Sequence, residues 1–278
     1  MIGYHYCSID TFVSIIESGN LRLSNGFIMN DSRECRWGFD IYREEFQKRI
    51  EKMVSDKKEI LEYALFDIES SGDDWVYEDY TPYITCFSKQ KDLLSQWRGY
   101  GDDGYGVAIG FDLNQVHGNS NKILQLYDVE YDIKQQKKKV EKLLDAMRVT
   151  EDNTVKYRRM KEIVYDIQEN FVKIIQLSTS IKNPAFIEEQ EKRLVYFESN
   201  QEVNSESKIK ISELKYRATR TNLISYVEVD FNALKREGVI KEIVIGPKAQ
   251  VTAKEIAAFI NRCGYSKTTI QKSQATYC

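Results

Sequence analysis

Histidine and proline are the scarcest informative residues here: two histidines and three prolines in 278 residues. His5 and His117 are far apart, and the five cysteines (Cys7, Cys35, Cys86, Cys263, Cys278) include no C-x-x-C pair. No ligand spacing for a metal site results, so no metal is expected. An odd number of thiols and an N-terminus without a signal-peptide pattern point to reduced cysteines in the cytoplasm. No apolar run is long enough to span a bilayer, which speaks against a membrane partner. So few prolines, and no low-complexity stretch, argue against a flexible linker, and residues 1–278 are expected to form a single domain. A basic surplus is also missing. Net charge is −3 and the pI is ≈ 5.7, whereas a general nucleic-acid binder is usually basic, so any such contact would need a local groove.

What is present is a series of short apolar segments with helices between them at irregular intervals. Strands are expected near residues 3–7, 21–24, 83–87, 106–111, 123–131, 194–197, 240–245 and 267–272, with two more between 215 and 230. Helical periodicity marks Ile9 to Ile16 behind the N-cap residue Ser8, a long stretch from Asp40 to about Ser70, and residues 133–147, 155–177 and 252–263. The pattern favours an α+β fold over a regular βαβ array, with residues 133–178 as a helical insertion or a cover for the sheet.

Two stretches carry the polar groups of interest. In Tyr83 to Leu113, two strands bracket a helical turn bearing Ser95, Gln96, Trp97, Arg98 and Tyr100, with Asp92 as its cap. Polar and aromatic groups on a connection held by rigid strands are a common way to build a small-molecule site. Gly99, Gly101 and Gly104 match G-x-G-x-x-G, but a strand follows them where the dinucleotide fingerprint needs a helix, so the match is a decoy. The second stretch, Asn183 to Ser199, brings three glutamates in four residues into a strand. On its own it reads equally as an exposed acidic turn. His5 on its own reads as a core histidine bonded to backbone.

Seven motifs in order cover nearly the whole chain: Y-H-Y-C-S from Tyr4, M-N-D-x-x-E at Met29 to Glu34, C-F-S from Cys86, S-Q-W-R-G-Y-G from Ser95, G-V-A-I-G-F-D from Gly106, A-F-I-E-E-Q-E-K-R-L-V from Ala185 and I-V-I-G-P from Ile243. Together they resemble a bacterial family of unknown function grouped with the ADP-ribosyltransferase superfamily. More distantly, they resemble the DarT toxins that modify nucleic-acid bases. The resemblance implies an ADP-ribosyltransferase-like split pair of small β-sheets, with flanking and inserted helices and NAD+ in the cleft as co-substrate. By the same resemblance Glu191 is the catalytic glutamate, His5 the first-strand polar residue beside the nicotinamide ribose or amide, and Arg98 part of the middle motif. Tyr6, Ser8, Asn30, Ser88, Ser95, Gln96, Trp97, Tyr100 and Arg193 are the implied contacts to NAD+. Threonine is common in that family where this chain has Cys7.

The residue types suit the chemistry. Cleavage between nicotinamide and ribose builds positive charge on the sugar, as in glycoside hydrolysis, and a fixed carboxylate stabilises it. Arginine suits a pyrophosphate because it stays charged and binds two oxygens. Trp97 or Tyr100 suits stacking on a base, while Trp97 equally suits a core. The leading expectation is an NAD-dependent ADP-ribosyltransferase toxin acting in antiviral (phage) defence or a toxin–antitoxin pair. Its expected acceptor is nucleic acid, RNA ahead of DNA, and an antitoxin protein is its expected partner. A protein acceptor, an NAD glycohydrolase and a nucleotide-sensing binding module are the alternatives.

Overall fold

Alternating side chains make Ile2–Cys7 a strand, β1, in the computed structural model, which describes residues 1–28, 35–52, 58, 62, 80–146, 169, 170, 172–198 and 207–277. Ser8 then caps helix α1 (Ile9–Ser18), accepting from the Thr11 amide at 3.2 Å, an interaction of the kind worth about 1 kcal/mol. The remaining strands are β2 (Asn20–Asn25), β3 (Pro82–Ser88), β4 (Val107–Asp112), β5 (Leu124–Asp128), β6 (Glu191–Phe197), β7 (Lys210–Ile211), β8 (Lys215–Ala218), β9 (Leu223–Asp230), β10 (Ile240–Ile245) and β11 (Thr269–Lys272). The helices after α1 are α2 (Arg36–Glu51), α3 (Leu94–Gly99), α4 (Leu113–Gly118), α5 (Ile133–Asp145) and α6 (Ala253–Arg262). The protein is therefore a mixed α+β structure with a large sheet, and no described helix is long and apolar enough to cross a membrane.

Among the described residues the eleven strands form one hydrogen-bonded network, ordered β11-β10-β4-β1-β3-β2-β9-β7, with β6 and β5 branching from β3 and β8 from β9. The fork at β3 organises the molecule. One edge of β3 pairs with β6 along its whole length, Pro82↔Phe197 to Ser88↔Glu191. The other edge is divided: β2 pairs only at Tyr83 and Ile84, and β1 only at Ser88. Between those contacts β1 and β2 part, beside Thr85, Cys86 and Phe87.

The two faces of the sheet are packed differently. One face carries a continuous apolar core in which Phe12, Ile15 and Ile16 of α1, Leu113 and Val116 of α4, and Ile256 and Ile260 of α6 meet Phe87, Ile109, Leu194 and Val229. Each such fully buried side chain contributes about 1.5–3 kcal/mol. The opposite face carries two separate clusters. Trp97 of α3 packs on Tyr4, Tyr6, Ala108 and Val244. Ile41, Phe46 and Ile50 of α2, Val140 and Leu144 of α5, and Ile174 and Ile175 in the helical residues 172–178 pack on Ile84, Val195 and Phe197. The segment expected as an insertion thus supplies part of a layer over β3 and β6. A cavity opens between the two clusters.

Most expected elements stand within a few residues of their places, and residues 215–230 form the β8–β9 hairpin. The expectation for Asp92 needs correcting. Leu93 is the N-cap of α3 and makes no side-chain cap bond, while the Asp92 carboxylate accepts from the Trp97 indole N–H at 2.7 Å, from Ser273 and from the Gln274 amide. The carboxylate is drawn to these donors because the C-terminal segment lies beside it. The glycine motif is a turn into β4, as expected. A Cβ at Gly101 would lie 2.6 Å from the Trp97 ring, and Gly104 has φ +88°, so both positions exclude a side chain for local reasons. The motif Met29 to Glu34 and the expected helical continuations after Lys52 (save residues 58 and 62) and at 155–168 lie outside the described residues.

Candidate functional site

The register places Tyr4, Ser88 and Glu191 in one row across β1, β3 and β6. Side chains in such a row share a face, as do Ile84 and Cys86 on β3 and Ser24 on β2. They line a cavity of about 240 Å³ between the two clusters, together with Gln96 and Tyr100 from α3 and its C-cap, and Arg22, Arg217 and Ile224 from the β2–β9–β8 side.

His5 is on the alternate pleat of β1 and joins the lining through the parting beside β3. Its Nδ1–H donates to the Cys86 carbonyl at 3.2 Å. A carbonyl only accepts, so Nδ1 carries the proton and Nε2 the lone pair. Burial lowers the His5 pKa below its ordinary value, with the Cys86 bond opposing, so the ring is neutral at pH 7.

Glu191, the first residue of β6, is only 4 % exposed and its carboxylate is fixed by two cations. Arg193, two residues on and on the same face, donates from Nε at 3.0 Å and Nη2 at 2.9 Å to Oε2. Lys182 donates from Nζ to Oε1 at 3.2 Å. Burial alone would push the Glu191 carboxyl up, but Arg193 and Lys182 outweigh it and hold the group below the usual carboxylate range. Glu189 ends the 3₁₀ segment Pro184–Glu189. Its carboxyl meets that of Glu191, accepts from Lys182 at 2.5 Å and from the Tyr100 hydroxyl at 3.1 Å, and is pushed up by burial and by the Glu191 charge. The two carboxyls meet because Gln190 between them takes a left-handed conformation, φ +45°.

The expected site residues divide clearly. His5, Tyr6, Ser88, Gln96, Tyr100 and Glu191 line the cavity. Ser88 also donates to the Glu189 carbonyl at 3.0 Å, and the Tyr6 hydroxyl donates to the Gln90 carbonyl at 2.8 Å while accepting the Leu93 amide. Arg193 is fully buried behind Glu191 and orients it, leaving no guanidinium edge for a ligand's pyrophosphate. Trp97 is fully buried in the core. Ser8 caps α1, and Ser95 is half-buried, its buried hydroxyl unpaired among the described residues. Arg98 stacks on the Tyr277 ring at 4.8 Å, away from the residues that line the cavity. Asn30 lies outside the described residues.

Sequence reasoning missed four residues. Glu189 carried a signal, its place two residues before Glu191 in the glutamate cluster, and Arg22 is the polar member of the alternation Leu21-Arg22-Leu23. Lys182 and Arg217 had none, because their places depend on a turn and on the β8–β9 register. Arg22 lies over the Tyr226 ring at 4.3 Å. Neither Arg22 nor Arg217 has a carboxylate partner among the described residues. The cavity therefore offers guanidinium groups from β2 and β8 and an ionised carboxylate from β6. No cluster of His, Cys, Asp and Glu able to hold a metal occurs among the described residues.

Residues 96–194 match a family model described as "Protein of unknown function (DUF2971)". That span includes Tyr100, Lys182, Glu189, Glu191 and Arg193. No curated protein and no solved structure matches the chain.

Proposed function

We propose that this protein is an NAD-dependent ADP-ribosyltransferase, with Glu191 as the carboxylate that faces the ribose. One observation carries the reading: the cavity joins two arginines without a carboxylate partner among the described residues to an ionised, doubly anchored carboxylate. A substrate with a pyrophosphate and a sugar that turns cationic in the transition state fits that polarity. Arg22 and Arg217 take the phosphate oxygens, in place of the Arg98 and Arg193 that the sequence motifs pointed to. Glu191 stabilises the oxocarbenium-like charge as nicotinamide leaves, and preorganised groups of this kind are worth on the order of a hundredfold or more in rate. His5, neutral and with Nε2 unprotonated, offers an acceptor to the nicotinamide amide or a ribose hydroxyl. Tyr100, its hydroxyl on Glu189, lines the cavity at that end.

Nucleic acid is the proposed acceptor, RNA ahead of DNA, on the resemblance to base-modifying toxins. Such an activity would serve phage defence or a toxin–antitoxin pair, with a protein antitoxin to restrain it. The test is incubation with NAD+ labelled in its adenylate half, together with separate RNA, DNA and protein pools, following free nicotinamide and transferred label. Label on RNA is the expected outcome. Label on protein would move the acceptor, nicotinamide without transfer would make the protein a glycohydrolase, and neither signal from folded protein would overturn the enzyme reading in favour of a nucleotide sensor.

A further inference from the structure

Lys182 does not line the cavity, yet it is 2 % exposed and its ammonium sits between both glutamates, 2.5 Å from Glu189 and 3.2 Å from Glu191. A buried lysine is costly to place, so its contacts matter. Its Nζ lies over the Phe186 ring, 4.8 Å from the centroid. Its backbone is held as firmly: the amide donates to the Glu130 carbonyl at 3.1 Å, and its own carbonyl accepts from Gln136 Nε2 at 2.7 Å. The same Gln136 amide group donates to the Glu130 carbonyl at 2.7 Å, and its Oε1 accepts from the Trp37 indole at 3.0 Å. A hydrogen-bonded path thus runs from α2 through α5 to the carboxyl pair.

We infer that Lys182 is a positioning residue that holds Glu189 and Glu191 as a pair sharing one proton, and that Gln136 sets its place from the helical layer. This rests on the reading of Glu191 as the working carboxylate. Glu189 and Glu191 ionised together would repel at contact distance, and one cation beside both lets a single negative charge reside on Glu191 while Glu189 keeps the proton. The other groups acting on the pair are Arg193 on β6, Tyr100 after α3 and Tyr131 before α5, and Cys86 and His5 line the cavity beside Glu191. Arg193 is the charged one of these at neutral pH, since burial raises both tyrosines and lowers His5. Removing Lys182 therefore raises the proton affinity of the pair.

The experiment measures nicotinamide release against pH for the wild type, Lys182→Met, Lys182→Arg and Gln136→Leu. Carboxyl protonation is read by infrared difference spectroscopy on glutamate-labelled protein without NAD+. The expected result for Lys182→Met is an acidic limb moved upward by about one pH unit or more. Its kcat should fall by about tenfold or more and its KM change less than about twofold, because Lys182 stands behind the carboxyls. Lys182→Arg should restore much of the limb, and Gln136→Leu should give a smaller shift in the same direction. An unchanged limb and an unchanged carboxyl titration in Lys182→Met would overturn the inference. Should Lys182→Met fail to fold, a wild-type limb and titration in Gln136→Leu would overturn it. A wild type that releases no nicotinamide would sink the enzyme reading alone, since the carboxyl titration still tests the shared proton.

Discussion

At the scale of single residues, the site is built from charges placed where charges are costly. Glu191, Arg193 and Lys182 are each 5 % exposed or less at their side chains. Removing one member of such a group leaves the rest buried without compensation, typically costing about 3–5 kcal/mol. Glu191→Gln should therefore lower nicotinamide release by about a hundredfold or more and also lower the melting temperature, measured side by side. Ionisation of Glu189 should offset part of the stability loss. Turnover near the wild-type level would remove Glu191 from the chemistry. Arg22 and Arg217 are the converse case, exposed and without carboxylate partners among the described residues. Arg22→Ala and Arg217→Ala should each change stability by less than about 0.5 kcal/mol while raising KM for NAD+ severalfold at near-constant kcat. An unchanged KM in both would place the phosphate elsewhere.

At the scale of elements, the site depends on how strands end. β6 begins at Glu191 because Gln190 turns left-handed, and that one dihedral brings the carboxyls of Glu189 and Glu191 together across two residues. A non-glycine residue in this conformation costs of order 1 kcal/mol, and such strain gathers at functional sites. Gln190 also accepts the Lys89 amide at its carbonyl and the Gln90 side-chain amide at Oε1. Gln190→Gly should keep activity within a few-fold, since glycine takes positive φ without strain. Gln190→Val, with a branched Cβ, should separate the carboxyls and lower kcat by an order of magnitude or more. Equal activities would show that the turn does not set the pair. β3 has a comparable role: its divided edge leaves the Cys86 carbonyl to be satisfied by His5, which orients the imidazole.

At the scale of the whole molecule, the buried titratable groups set how stability depends on pH. His5 has its pKa lowered by burial, so the unfolded chain takes up a proton first, and stability falls as pH drops below about 6.5. Glu191 and Asp92 are held below their ordinary values against the effect of burial, so their contributions persist until lower pH and are then lost. Glu189 is raised, and its contribution runs the other way, present in acid and lost as pH rises through its raised value. Melting temperature measured from pH 8 to pH 3 should begin to fall below about pH 6.5 and steepen below about pH 4.5. His5→Gln should flatten the upper part, and an unaltered slope there would mean that His5 titrates without linkage to folding.

Local pattern was enough to locate most elements. Two-residue alternation marks β1 and β9, a serine cap and apolar periodicity mark α1, and a β-branched run stopped by Gly246-Pro247 marks β10. Such signals depend on neighbours along the chain, which is why the α+β class was legible, whereas the candidacy of His5 and Glu191 came from the resemblance carried by the motifs together. The fork in the sheet was not, because one edge of β3 is shared by strands from different parts of the chain. Arg193 and Trp97 have the residue types of ligand contacts, and only burial among distant partners makes one a support for Glu191 and the other a core residue. The same holds for Lys182, Arg22 and Arg217. Side-chain chemistry was written in the chain, but which charges lie buried together and which stay open to the cavity was decided by the packing around them, because a Coulomb interaction depends on distance in space and on the water excluded around it.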